Sequence, residues 1–163
     1  MWDLASNTCS TELRPVDPTP LRSVTVASDA SHVAAVNNSG MCFVWRINPS
    51  SARCTAFEPL ARIDAHSSYA LQCLFSPDAL SLATTSADHS VKLWSVDSGF
   101  TLDKTLIGHT GWVWSCAFSA DSAYLVSASS DKTAKLWDLK SGEMILDYRG
   151  HGKAITSIAL NDS

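Results

Sequence analysis

Histidine, aspartate and hydroxyl side chains recur in this sequence at spacings that could serve acid–base or metal chemistry. His66 and His109 each precede an aspartate, Asp88 and Asp131, by 22 residues. A serine or threonine stands two and four positions before each aspartate, which makes a Ser-His-Asp nucleophile one interpretation. The five histidines make a metal site a second interpretation. Both require that these side chains converge on one point of the fold.

The same residue types mark an internal repeat, which favours a structural role for them. Four tryptophans recur at intervals of 43, 49 and 43 residues, and three histidines at intervals of 43 and 42. They are Trp2, Trp45, Trp94, Trp137, His66, His109 and His151. Repeated units stack side by side, so their histidines do not meet at one ion. The sequence also lacks a phosphate loop, a GxSxG elbow and an HExxH helix, and we predict no metal site, no cofactor and no enzymatic activity.

Each repeat contains four short segments rich in β-branched, aromatic and small residues, with turn residues between them. In the clearest repeat the segments are 112–119, 123–130, 133–139 and 143–149. Equivalent segments lie at 69–76, 80–87, 90–96 and 101–107, and at 21–28, 31–37, 41–47 and 53–63. A β-meander of this size is one propeller blade.

The chain is therefore predicted to be an all-β, partial β-propeller of three complete blades with part-blades at both ends. The complete blades are expected at 21–64, 65–107 and 108–149. Residues 1–20 are expected to end an earlier blade, and 150–163 to form the first strand of the closing blade.

The stretch "GHTGWVWSCAFSADSAYLVSASSDKTAKLWD" resembles a WD40 repeat, with the GH, Asp and WD landmarks in order. In that family each blade buries a hydrogen-bonded set of His, Asp, a strand Ser or Thr, and Trp. The resemblance implies one set of His66, Ser86 (or Thr84), Asp88 and Trp94, and a second set of His109, Ser129 (or Ser127), Asp131 and Trp137. The repeat that contains Trp45 has Ser39 in place of the aspartate and Arg46 in place of the Asp of WD, so we expect a weaker network there.

Residues 65–163 further resemble the small WD-repeat subunits of TOR kinase complexes, down to the final "ALNDS". This resemblance implies a seven-bladed, non-catalytic subunit that binds and stabilises the kinase domain, through its C-terminal lobe, in growth and nutrient signalling. A WD40 scaffold or adaptor in another assembly, such as a ubiquitin ligase substrate receptor, is the alternative. Because Trp2-Asp3 matches the end of a third strand, the sequence is interpreted as the C-terminal half of such a protein. We expect the isolated fragment to self-associate through open strand edges.

One face of a propeller carries the loops that enter the first strands and those that join the second strands to the third. Tyr69 and Trp112 occupy equivalent entrance positions, and His89, Trp114 and Lys132 lie nearby in the sequence. Exposed Tyr and Trp are enriched at binding hot spots, whereas the alternative is that these rings belong to the core. We predict that these five residues bind a protein partner on the top face.

Composition narrows the class of partner and the compartment. The 163 residues carry a formal net charge of −4 and no basic cluster, which argues against nucleic acid as the main partner. The apolar runs are far shorter than the roughly 20 residues that span a bilayer, and no signal peptide is evident. Five cysteines without a CxxC spacing suit a reducing compartment. We expect a cytoplasmic protein that reaches endomembranes only peripherally, through its complex.

Overall fold

The computed structural model describes residues 2–3, 8–9, 18–48 and 56–161, which form fourteen β-strands and no helix. No helix that could cross a bilayer occurs among them. Strands β1 (Trp2–Asp3) and β2 (Thr8–Cys9) pair with each other, and the other twelve make three four-stranded antiparallel sheets. Of the blade end expected at 1–20, the structure describes only β1, β2 and residues 18–20.

Each four-stranded sheet is a meander whose strands pair in chain order. Blade 1 consists of β3 (Leu21–Val26), β4 (His32–Asn37), β5 (Met41–Asn48) and β6 (Ala56–Asp64). Blade 2 consists of β7 (Ala70–Phe75), β8 (Ser81–Ser86), β9 (Ser90–Ser95) and β10 (Thr101–Ile107). Blade 3 consists of β11 (Val113–Phe118), β12 (Tyr124–Ser129), β13 (Ala134–Asp138) and β14 (Met144–Tyr148).

Neighbouring blades share their cores, because the first strands of blades 2 and 3 each pack on the blade before them. Cys73 in β7 lies with its sulfur 3.6 Å from the carbonyl oxygen of Ala34 in blade 1. One buried cluster joins blades 1 and 2 through Val36, Cys73 and Trp94, and a second joins blades 2 and 3 in the same way. In blade 2 the side chains that alternate along the inner strands thus divide between two interfaces, as in a propeller.

A β-bulge interrupts the first strand of every blade at the same point. The register shifts between Leu21 and Ser23 in β3, and at the equivalent residues of β7 and β11. The extra residues are Arg22, Leu71 and Trp114. Since a bulge re-aims the local side chain, alternation along the strand does not set the direction of Trp114.

Residues 150–161, predicted to be the first strand of a closing blade, form no strand. The segment lies against blade 3, where the N–H of Ile155 donates to the carbonyl oxygen of Ser129 at 3.0 Å. Leu160 lines an apolar groove together with Val126 and Tyr148. A strand requires a ladder of backbone hydrogen bonds, and a single bond to β12 is not a ladder.

Candidate functional site

A relay of four side chains crosses blade 3 from its interior to the β12–β13 turn. Trp137 Nε1 donates to Ser127 Oγ at 2.8 Å, and that oxygen lies 2.8 Å from His109 Nε2. His109 Nδ1 lies 2.8 Å from Asp131 Oδ2. The donors and acceptors all match when the imidazole is neutral with its proton on Nδ1, because Nε2 then accepts from the Ser127 hydroxyl.

Asp131 ties the loop before β11 to the turn after β12. Its carboxylate also accepts from the N–H of Thr110 at 3.0 Å, and from the N–H and hydroxyl of Thr133 at 2.9 and 2.7 Å. Burial alone would raise the pKa of Asp131, but the hydrogen bonds from Thr133, His109 and Thr110 outweigh it and hold the pKa well below its usual range. The carboxylate is therefore a permanent acceptor at this turn.

The two relay histidines are buried as neutral rings. Burial lowers the pKa of His109, and the hydrogen bond and charge of Asp131 oppose this shift without cancelling it. The pKa of His66 is lowered for the same reason, with Asp88 as the opposing partner. Neutral imidazoles are what the donor–acceptor order of the relay requires.

Blade 2 repeats the relay with one change of hydroxyl. Trp94 Nε1 donates to Thr84 Oγ1 at 2.9 Å, Thr84 lies 2.8 Å from His66 Nε2, and His66 Nδ1 lies 2.9 Å from Asp88 Oδ2. Asp88 also accepts from the N–H and hydroxyl of Ser90 at 3.1 and 2.6 Å. The pKa of Asp88 is lowered because these bonds and His66 together outweigh its burial.

The relay hydroxyls are the alternatives Thr84 and Ser127, and the expectation of Ser86 and Ser129 is wrong. Thr84 and Ser127 occupy that place, two residues earlier in each strand, where the hydroxyl reaches the tryptophan on the neighbouring strand. Two residues of strand add roughly 6–7 Å, which puts the later serines beyond the indole. Ser86 instead accepts from the N–H of Asp88 at 3.0 Å and donates to the carbonyl oxygen of Tyr69 at 2.9 Å.

Ser129 has a matching place at the turn of blade 3, where its oxygen accepts from the N–H of Asp131 at 3.1 Å. The two serines therefore support the turns that present the aspartates, and in blade 2 the serine also holds the strand entrance at Tyr69.

Blade 1 closes the equivalent turn by other means. The relay hydroxyl is replaced by Ala35, and Trp45 stacks on Phe43 with ring centroids 6.1 Å apart in an apolar cluster. At the turn, Asn37 Oδ1 accepts from the N–H of Ser39 and of Met41 at 3.0 and 2.9 Å. A buried amide therefore does part of what the aspartate does in blades 2 and 3.

Tyr69, Trp112 and Trp114 meet above blades 2 and 3 and form what we term the aromatic surface. The rings of Tyr69 and Trp112 lie edge to face at 6.0 Å, and those of Trp112 and Trp114 are 5.5 Å apart. Tyr69 is 46% and Trp112 38% exposed, whereas Trp114 is half-buried. The three rings are thus in contact, across two blades.

The aromatic surface is anchored to the turns that the relays support. Trp114 Nε1 donates to Ser130 Oγ at 2.7 Å, and the N–H of Ser130 donates to the carbonyl oxygen of Trp112 at 2.9 Å. Gly111 approaches the same turn so closely that a Cβ there would lie 2.8 Å from the Asp131 nitrogen. The sequence reasoning missed Gly111, although this residue directly precedes the entrance tryptophan.

His89 and Lys132 are exposed on the same two turns, directly after the relay aspartates. Both have left-handed backbone, with φ of 73° and 71°. A non-glycine residue with positive φ is uncommon, and here the aspartate preceding it fixes the turn. Their placement puts two basic side chains beside the aromatic surface.

The His–Asp–hydroxyl geometry is unsuited to nucleophilic catalysis. Ser127 is fully buried and already accepts from Trp137, so its hydroxyl cannot approach a substrate. Among the residues that the structure describes, no three His, Cys, Asp or Glu side chains are grouped to hold a metal ion. What the arrangement supplies chemically is a fixed turn and an exposed aromatic surface above it.

Comparison with known proteins identifies the repeat. Residues 57–95 and 100–138 match the family model "WD domain, G-beta repeat". "Target of rapamycin complex subunit wat1" of Schizosaccharomyces pombe is 53% identical over 163 residues, or 99% of this chain. The chain belongs to the WD40 repeat family. The expected all-β, partial WD40 propeller is confirmed.

Two further comparisons concern a second relative and a solved structure. "Target of rapamycin complex subunit LST8" of Saccharomyces cerevisiae is 50% identical over 98% of the chain. The chain spans about half the length of these curated relatives, 51% of wat1 and 52% of LST8. The solved structure of U3-55K has a TM-score of 0.79 at 20% identity, covering 89% of this chain and 44% of that one, and this likeness shows the fold alone. The expected resemblance to TOR complex subunits is confirmed.

Proposed function

We propose that this chain is a non-catalytic subunit of a TOR kinase complex that binds and stabilises the kinase domain through its C-terminal lobe. Two relatives named as TOR complex subunits, wat1 and LST8 of Saccharomyces cerevisiae, match almost the whole chain at 53% and 50% identity. The observation that carries the proposal is the aromatic surface, because large exposed rings held in a fixed geometry are the side chains that anchor protein partners.

The surface is preorganised, which favours binding. Tyr69 and Trp112 are held by backbone hydrogen bonds from Ala87 and Ser130, at 2.9 Å each. Fewer rotamers are lost when a partner docks on rings that are already packed against one another. Both anchors lie on blades whose relays are complete.

Binding is tested by replacing Trp112 with alanine in the chain as it occurs in cells, and measuring its affinity for the TOR kinase catalytic region of the same organism. Removal of a hot-spot tryptophan should cost about 2 kcal/mol or more, which is about 30-fold in Kd. Leu102→Ala is the control, since Leu102 is 49% exposed on the outer strand β10. Unchanged affinity of a folded Trp112→Ala variant would contradict the proposal.

Stabilisation is tested separately, by the thermal unfolding of the kinase region with and without the chain. A partner that binds only the folded kinase at about 100 times its Kd adds about 2.7 kcal/mol to its stability. We therefore expect a higher kinase Tm with the wild-type chain and a smaller rise with Trp112→Ala. A kinase Tm that does not respond to the bound chain would leave binding intact and refute the stabilising role.

We also propose a cytoplasmic location, with contact to endomembranes only through the complex, as part of the same role. Fractionation of cells with the kinase depleted tests it. The chain should then leave the membrane fraction and stay in the cytosol, whereas membrane retention without the kinase would refute it.

A further inference from the structure

We infer that the partner segment on the aromatic surface is acidic, with an apolar residue that packs on Trp112 flanked by aspartate or glutamate. The inference rests on the proposed function and adds the chemistry of the partner. Its basis is an imbalance of charge around the surface, where basic side chains are exposed and carboxylates are turned inward.

Three exposed basic residues lie on segments next to those that carry the aromatic surface: Arg22, Lys132 and Lys153. Arg22 is the bulge residue of β3, the position that Trp114 takes in β11. Lys132 follows Asp131 in the β12–β13 turn. Lys153 is two residues before Ile155, whose N–H is bonded to the carbonyl of Ser129 beside that same turn.

None of these three cations takes part in an ion pair among the described residues. Those pairs involve His66, His109, Lys104, Lys135 and Arg149. Arg22 donates through Nε to the neutral amide oxygen of Asn38 at 2.8 Å, which leaves its charge uncompensated.

The carboxylates of the two turns beside the aromatic surface do not offset these cations. The side chains of Asp88 and Asp131 are 15% and 8% exposed, and each carboxylate is bonded to a histidine and to its own turn. The chain as a whole has a net charge of −4, so the positive rim departs from the average of its surface. A complementary partner carries negative charge there, which raises the association rate and excludes basic segments.

Aromatic rings with nearby cations also bind single-stranded nucleic acid. A protein partner is favoured here because a protein that binds single-stranded nucleic acid needs a continuous basic groove along the phosphate backbone. Three separate cations on a chain of negative net charge do not form such a groove.

Charge reversal tests the inference. The wild-type chain, Lys132→Glu and Lys153→Glu are titrated with the TOR kinase catalytic region at about 50 mM and about 500 mM salt. At low salt we expect each reversal to weaken binding by about 5- to 20-fold, and at high salt by less than about 3-fold, because exposed charges are then screened. Lys140→Glu is the control: Lys140 is exposed in the β13–β14 turn at the opposite end of the sheet, and should change Kd less than about 2-fold.

The outcomes separate the inference from the function on which it rests. If Trp112→Ala weakens binding but both reversals behave like Lys140→Glu, the acidic partner is refuted and the proposed function stands. If the wild-type chain does not bind the kinase region, both fail. Salt-sensitive binding of single-stranded oligouridine that is lost with Trp112→Ala would also overturn the inference. Circular dichroism of every variant establishes that the fold is retained.

Discussion

Thr84 and Thr85 are adjacent in β8 and both fully buried, yet only one of them has hydrogen-bond partners for its side chain. Thr84 Oγ1 joins Trp94 Nε1 to His66 Nε2. Thr85 Oγ1 has no partner within the described residues. The same substitution to valine, which keeps the shape and removes the hydroxyl, should therefore have opposite effects at the two positions.

The magnitude follows from the groups that each substitution leaves without a partner. Thr84→Val removes the acceptor of the Trp94 N–H and the donor to His66, and each buried unsatisfied group costs about 1–3 kcal/mol, so we expect a loss of about 2–5 kcal/mol. Thr85→Val removes a hydroxyl that is buried without compensation, and should be neutral or stabilising by up to about 1 kcal/mol. The equivalent position in blade 3 is already apolar, Ala128.

The assay is urea unfolding followed by tryptophan fluorescence, with thermal melts in parallel. For a chain of this size about 1 kcal/mol corresponds to about 2–4 °C in Tm, so the two variants should be well separated. Thr84→Ser keeps the hydroxyl and loses one methyl group, and should recover most of the loss. Equal effects of the two valine variants, or no recovery by serine, would show that the relay does not stabilise the blade.

Three other predictions concern charge and exposed surface. Asp131→Ala should lower the free energy of unfolding in urea by roughly 1–3 kcal/mol or more, because it removes the acceptor of four hydrogen bonds. Lys132→Ala is the control and should be nearly neutral. Equal small effects of the two variants would contradict this prediction. The pKa values of His66 and His109 in the folded chain are lowered from the ordinary histidine value of 6.5. Below about pH 6.5 these histidines therefore bind more protons in the unfolded chain than in the folded chain, and stability should fall as the pH drops through that value. A Tm that is flat from about pH 7.5 to about 5 would refute the neutral relay. The 163-residue chain should self-associate as its concentration rises, as measured by analytical ultracentrifugation. Val24→Lys, at an exposed apolar position of β3, should reduce this association. A chain that stays monomeric at all concentrations would contradict the prediction.

The repeat could be read from the sequence because blade landmarks are local. The 22-residue spacing from His109 to Asp131 brings one histidine under one turn, and the structure shows that contact at 2.8 Å. The strands follow from short β-branched and aromatic segments between turn residues, whose ends the structure shifts by only a few positions. These features depend on near neighbours in the chain, which is why pattern reasoning reached them.

Features that depend on geometry between strands could not be reached in this way. Ser86 and Thr84 point to the same side of β8, so the sequence alone leaves the relay hydroxyl undecided; the diagonal from Trp94 across the ladder selects Thr84. The sequence has no aspartate at the turn of blade 1, because there the accepting oxygen belongs to Asn37, which stands at a different position in the repeat. The bulge at Trp114 is likewise invisible in a period-two pattern.

The buried relay and the exposed rings are parts of one arrangement. Asp131 binds the N–H of Thr110 in the entrance loop, Gly111 lets that loop lie directly on the turn, and the next residue is Trp112. The position of the aromatic surface therefore depends on a carboxylate whose own side chain is only 8% exposed. Loss of that carboxylate should weaken binding even where the blade still folds, because Trp112 would be held less firmly and more of its freedom would be lost on docking. We therefore expect a relay that looks catalytic by residue type to affect binding through the loop it positions.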